Sequence, residues 1–82
     1  MERNEVGGML SKEKSMIEYA TKRLLDKGNT NIKITNVRLF ADGNIMADVS
    51  YTWKLNAWEK RAEHKDVIFV YKDGEWYSPL FF

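Results

Sequence analysis

Apolar positions recur with two different periods along this chain, and the change falls at Gly28-Asn29. Before it, Met9, Met16, Ile17, Ala20 and Leu24 share one stripe at helical spacing. The spacing predicts a helix beginning near Met9. Ser11 reads as its N-cap, with Glu13 in the first turn. Lys22, Arg23 and Lys27 stand toward the other end, where cations suit the helix dipole, and Gly28-Asn29 is the stop signal. The stripe is narrow, so the helix should lie across a second layer. Residues 1–8 are polar and end in Gly7-Gly8, which reads as a flexible arm ahead of a single domain at 9–82.

From Asn31 onward the period is two, the repeat of a half-buried strand. "IKITNVRLF" is apolar at Ile32 and Ile34, then at Val37 and Leu39, so its parity flips around Thr35-Asn36. A β-bulge there keeps both halves on one face. "IMADVSYTWKL" alternates without interruption. "WEKRAEHKDVIFVY" begins alternating and ends as a continuous apolar run, and "EWYSPLFF" reads as a last strand.

Ala41-Asp42-Gly43 and Lys72-Asp73-Gly74 fit three-residue hairpin loops with glycine in the left-handed position, and Asn56-Ala57 fits a shorter turn. The predicted class is α+β: one N-terminal helix packed on a four-stranded antiparallel meander. These turns set a register. Leu39 faces Ile45, Val49 faces His64, Ile45 faces Ile68, and Val70 faces Trp76. The helix-facing side then collects Val37, Leu39, Ile45, Ala47, Val49, Tyr51, Trp53, Ala62, His64, Ile68, Val70, Trp76 and Leu80.

The same register sends Met46, Val67, Phe69, Tyr71, Tyr77 and Phe81 to the opposite side. Farther along, that side carries Glu59, Arg61, Glu63 and Lys65. A sheet back that is polar at one end and apolar at the other predicts an association surface. A homodimer about a two-fold axis, or another protein partner, would cover it.

Composition narrows the field. Eighty-two residues without cysteine leave packing and self-association as the means of reinforcement. The formal charge of +1 gives no general attraction to nucleic acid or anionic lipid. Lys33, Arg38, Lys54, Lys60, Arg61 and Lys65 are interleaved with aromatics, but Asp48, Glu59, Glu63 and Asp66 interrupt them, which favours a solvated mixed-charge face. No apolar run reaches the roughly 20 residues of a membrane span. The N-terminus lacks a signal-peptide pattern, so a cytoplasmic protein is expected.

His64 is the only histidine, and Asp66 follows it two residues later on the same predicted face. A carboxylate beside an imidazole can orient a general base. With Tyr51, Trp53 and Ser78 the pair could line a pocket between helix and sheet. The competing reading is a histidine satisfied by a hydrogen bond at the rim of the core. No residue spacing fits a metal site, and no motif calls for a cofactor.

The helix ending "LLDKGN", the alternating "IMADVSYTW" and the close "VIFVYKDGEWY" together resemble the cystatin-like superfamily, including its nuclear-transport-factor-two-like branch. The resemblance implies a cavity between helix and sheet and dimerisation through the sheet's outer side. The functions it implies run from ligand binding to isomerase-type chemistry. Two features depart from it. Pocket-bearing members carry additional helices, and this chain has room for one. The Gln-x-Val-x-Gly hairpin of cystatin inhibitors is replaced by "FADGN". The expectation is a non-enzymatic interaction domain that self-associates, the alternative a pocket or enzyme centred on His64 and Asp66.

Overall fold

A computed structural model of the chain describes residues 2–40 and 43–81, with side chains from Ser11 onward. The elements are helix α1 (Glu2–Asp26), strands β1 (Thr30–Leu39), β2 (Ile45–Leu55), β3 (Trp58–Lys72) and β4 (Glu75–Tyr77), and a 3-10 turn at Pro79–Phe81. The strands pair antiparallel in the order β1-β2-β3-β4. This is the α+β meander with one helix that the periodicity predicts.

α1 starts at Glu2 and passes through Gly7, Gly8 and Ser11. Ser11 is therefore interior to the helix and not its N-cap, and the segment read as an arm is helical from Glu2. Glycine weakens a helix by roughly 1 kcal/mol per residue but keeps its backbone N–H, whereas proline would remove it. The C-terminus ends as predicted. Gly28 has φ of 87°. Its N–H donates to Leu25 O at 2.9 Å, and the Asn29 N–H donates to Leu24 O at 3.1 Å, the paired bonds of a Schellman motif.

Met16, Ala20 and Leu24 on α1 are buried against Ile45, Ala47 and Val49 of β2, Val67 and Phe69 of β3, Trp76 of β4, and Phe81. We call this helix-facing side of the sheet inner. Val37 packs at its margin, together with Ile32 and Ile34.

Three bulges decide which residues face inward. In β1, Thr35 pairs with Asp48 and Arg38 with Met46, so Asn36 and Val37 oppose one residue, as the parity flip predicts. A second irregularity lies between Thr30 and Lys33. The third is in β3. Val49 faces His64 as expected, but Ala47 faces Val67, leaving Lys65 and Asp66 opposite one residue. Each bulge contains a left-handed residue: Asn31 (φ 50°), Asn36 (φ 54°) or Asp66 (φ 55°). Asn and Asp tolerate this region better than other non-glycine residues.

The β3 bulge corrects the expected register. Ile45 faces Phe69 and not Ile68. Val67 and Phe69 therefore turn inward, and Ile68 and Val70 turn outward. The last hairpin carries a second correction. Tyr71 faces Trp76 and Lys72 faces Glu75, so the loop is Asp73-Gly74 alone. Both of its residues have positive φ, 54° and 79°, the requirement of a tight primed turn. Each correction flips parity once. They cancel at Trp76, which stays inward, and at Tyr77, which stays outward.

The first hairpin keeps the expected glycine, with Gly43 at φ 88°. Gly43 N–H donates to Phe40 O at 3.0 Å, and Phe40 N–H to Asn44 O at 2.8 Å. Ala41 and Asp42 lie outside the described residues. The final strand is shorter than "EWYSPLFF" predicts. Pro79 has no N–H for a ladder, so β4 ends at Tyr77 and the chain coils into a 3-10 turn. That turn drives Phe81 into the core, edge-on to Tyr19 at 5.5 Å.

The inner placement of Phe69 makes a direct prediction. Phe69→Ala should destabilise the fold by about 3–5 kcal/mol in urea titration. Ile68→Ala, on the half-buried outer side, should cost clearly less. The unbulged register demands the reverse order.

Candidate functional site

His64 and Tyr51 do meet. Val49 faces His64 and Tyr51 faces Ala62, so the two rings are diagonal neighbours on the inner face. Their planes lie 24° apart with centroids at 5.6 Å, and Tyr51 Oη stands 3.1 Å from His64 Nε2. Both are half-buried.

Asp66 does not join them. The bulge turns it to the outer face, where it accepts a 3.0 Å hydrogen bond from Arg38 Nη1. The expected His64–Asp66 pair is thus split across the sheet. A general base oriented by a carboxylate is not what this arrangement contains; the histidine is satisfied by a tyrosine hydroxyl.

The other pocket candidates disperse as well. Trp53 faces Lys60 farther along the same strand pair. Ser78 is buried, and its hydroxyl accepts the Leu80 N–H at 3.3 Å inside the closing turn. Between α1 and the sheet, the space expected as a cavity is occupied by Met16, Ile45, Val49 and Phe69. A groove of about 540 Å³ does run between α1 and β4, past Tyr19, Arg23 and Tyr77. Several of its polar groups are already engaged. Arg23 lies 5.3 Å from the Phe81 ring, and Tyr77 Oη donates to Glu75 at 3.3 Å, whose charge raises the tyrosine pKa.

The six expected interface residues divide. Val67, Phe69 and Phe81 belong to the core. Tyr71 lies on the helix side, with its ring 4.8 Å from Trp76 and under the Lys12 ammonium at 4.9 Å. Met46 and Tyr77 remain outside. The bulge supplies them with new neighbours: Ile68 opposite Met46, and Val70 opposite Tyr77. An apolar end of the outer face therefore persists, built from Met46 and Tyr77 of the expected set together with Ile68 and Val70.

The largest uncovered apolar side chains lie elsewhere. β1 pairs with β2 as far as Thr52, and beyond it β2 and β3 continue as a two-stranded arm closed at Asn56-Ala57. At its end Leu55 is 61% exposed and Trp58 is 70% exposed. The lengths explain it. Among the described side chains, the buried helix stripe from Met16 to Leu24 spans about 12 Å at 1.5 Å per residue. The eleven residues of β2 span roughly 36 Å at 3.3 Å each. A short stripe cannot roof a long ladder; the strand length is readable in the sequence, whereas the buried extent of the stripe comes from the structure.

On the outer face, one polar network ties two bulges together. Asp48 Oδ1 accepts the Asp66 N–H at 3.0 Å and Arg38 Nη2 at 3.5 Å, while its Oδ2 accepts Asn36 Nδ2 at 3.4 Å. The Asp66 N–H is the main cause holding the Asp48 carboxyl below its ordinary value. Partial burial opposes it, and the Asn36 amide, Lys65 and Arg38 assist it.

Among the described residues, no group of three His, Cys, Asp or Glu side chains could hold a metal ion, and no helix is long and apolar enough to cross a membrane. Set against family models, curated proteins and solved structures, the chain finds no match in any of the three.

The network predicts a pH response. A carboxyl whose folded pKa is depressed stabilises the fold above the unfolded value and loses that contribution as pH falls through the folded one. The melting temperature of the wild type should therefore drop on acidification through and below the ordinary value of 3.8. Asp48→Asn should melt lower at neutral pH and show a flatter acid limb.

Proposed function

We propose that this chain is a small non-enzymatic protein-interaction domain that self-associates through the parts of its sheet the single helix leaves uncovered. One observation carries the reading: Leu55 and Trp58 stand exposed at the end of an arm that no other described residue covers. Water contact with a tryptophan and a leucine forgoes burial worth roughly 2 kcal/mol or more apiece. Tryptophan is also a side chain that concentrates binding energy when a partner buries it. The apolar end of the outer face, at Met46, Ile68, Val70 and Tyr77, offers a second contact area.

The order of helix and meander supports kinship with the cystatin-like superfamily and its nuclear-transport-factor-two-like branch. A homodimer agrees with that kinship. The enzyme alternative required a carboxylate beside His64, and Asp66 lies on the other side of the sheet.

Sedimentation velocity over a wide concentration range tests the proposal. The wild type should shift from monomer toward dimer as concentration rises. Trp58→Ser should weaken that association by about tenfold or more, in line with a buried aromatic anchor, while leaving the melting temperature of the monomer nearly unchanged. A wild-type chain that stays monomeric throughout would overturn the reading.

A further inference from the structure

Both long edges of the sheet are open, but they differ. β1 carries two bulges along its ten residues, a device that discourages strand addition. β3 is covered by β4 only at Val70–Lys72, and its free edge from Trp58 to His64 contains no bulge. A two-residue turn closes on a hydrogen-bonded pair, here Leu55 and Trp58. Trp58, Lys60, Ala62 and His64 therefore direct their backbone N–H and C=O groups to β2. Those of Glu59, Arg61, Glu63 and Lys65 point to the free edge.

We infer that this edge pairs with the same edge of a second copy, antiparallel, about a two-fold axis at Ala62. The inference rests on the self-association proposed above and names its geometry. The outer-face residues alternate in charge: Glu59, Arg61, Glu63, Lys65. With the axis at Ala62, Glu59 stands opposite Lys65 of the second copy and Arg61 opposite its Glu63. Every charged pair on that face is then of opposite sign, the favourable case for cross-strand neighbours. Moving the axis to residue 61 sets Glu59 against Glu63 and Arg61 against itself. Moving it to residue 63 sets Glu63 against itself and Arg61 against Lys65.

Three further features agree with this register. Ala62 contributes the smallest side chain of the segment where the two copies come closest. Glu59 is tied only to Lys54, in a surface ion pair with both side chains 59% exposed, so it can be redirected. Arg61 is held toward β2 and β1 by Asn31 O, Thr52 Oγ1 and Ser50 Oγ, so pairing with Glu63 of the second copy draws on its two remaining N–H donors or on its release from these partners. Trp58, an inner-face residue, reaches the bulge position of the second copy, whose Asp66 side chain is turned to the outer face. Along that edge a groove of about 480 Å³ of mixed polar and apolar lining runs between β3 and Pro79-Leu80. The exposed indole of each copy thus comes to this groove on the other.

Cysteine scanning tests this directly, because the chain has no cysteine of its own. In the proposed register the two Ala62 residues form a non-hydrogen-bonded pair with Cα atoms about 4.5 Å apart, within disulfide reach. Ala62→Cys should give a covalent dimer under mild oxidation. Lys60→Cys and His64→Cys should each fail alone and cross-link when mixed, since each faces the other. Independently, Glu59→Lys and Lys65→Glu should each weaken dimerisation several-fold, and the double variant should restore it. A wild-type dimer in which Ala62→Cys does not cross-link and the double variant does not recover overturns the edge geometry while leaving self-association standing. A wild type that never dimerises overturns both.

Discussion

One extra residue in β3 decides what this molecule presents to its helix and what it presents outward. Without the bulge at Lys65-Asp66, Phe69 would point away from α1 and Ile68 would take its place. The bulge requires Asp66 in the left-handed region, at φ 55°. Asp48 supports that conformation by accepting the Asp66 N–H, and it also accepts the Asn36 side chain of the β1 bulge. A residue on the central hairpin thereby holds irregularities on both neighbours. Arg38, donating to both Asp48 and Asp66, closes the network. The hydrophobic core on one face depends on polar geometry on the other.

The second governing feature is a mismatch of lengths. A sheet built on two long central strands is roofed by a helix whose buried stripe, among the described side chains, spans little more than two turns. The core is accordingly concentrated at one end, and the molecule extends to 50 Å in its longest dimension. The remainder of the hairpin is a ribbon with two exposed faces and a free edge. Isolated two-stranded ribbons are marginal in water. Arg61 reinforces this one by reaching across β2 to Asn31 of β1. A second copy on the free edge would widen the ribbon and bury its aromatic tip.

Legibility in the sequence varied from residue to residue. The bulge at Asn36 was readable, because apolar positions on both sides of it reveal the change in parity. The bulge at Asp66 was not read, because "VIFVY" is apolar at every position and fits either register. Yet its local signal was present. At each bulge the left-handed residue, Asn31, Asn36 or Asp66, is a turn-tolerant one followed by a β-branched residue, Ile32, Val37 or Val67. The candidate site was half legible. His64 does lie on the helix side, but its partner is Tyr51, its diagonal neighbour on β2, and not Asp66 of its own strand.

By itself the sequence determined the kinds and order of the elements, the C-terminal stop of the helix, and the inward face of β2, because those follow from local periodicity and from the conformational range of glycine, asparagine and aspartate. Only the tertiary structure decided the inward face of β3, the division of the closing aromatics between core and surface, and the fate of His64. In a continuous apolar run both faces are equally hydrophobic. The choice between them then passes to hydrogen bonds made across strands, by Asp48 and Arg38, from positions remote in the chain.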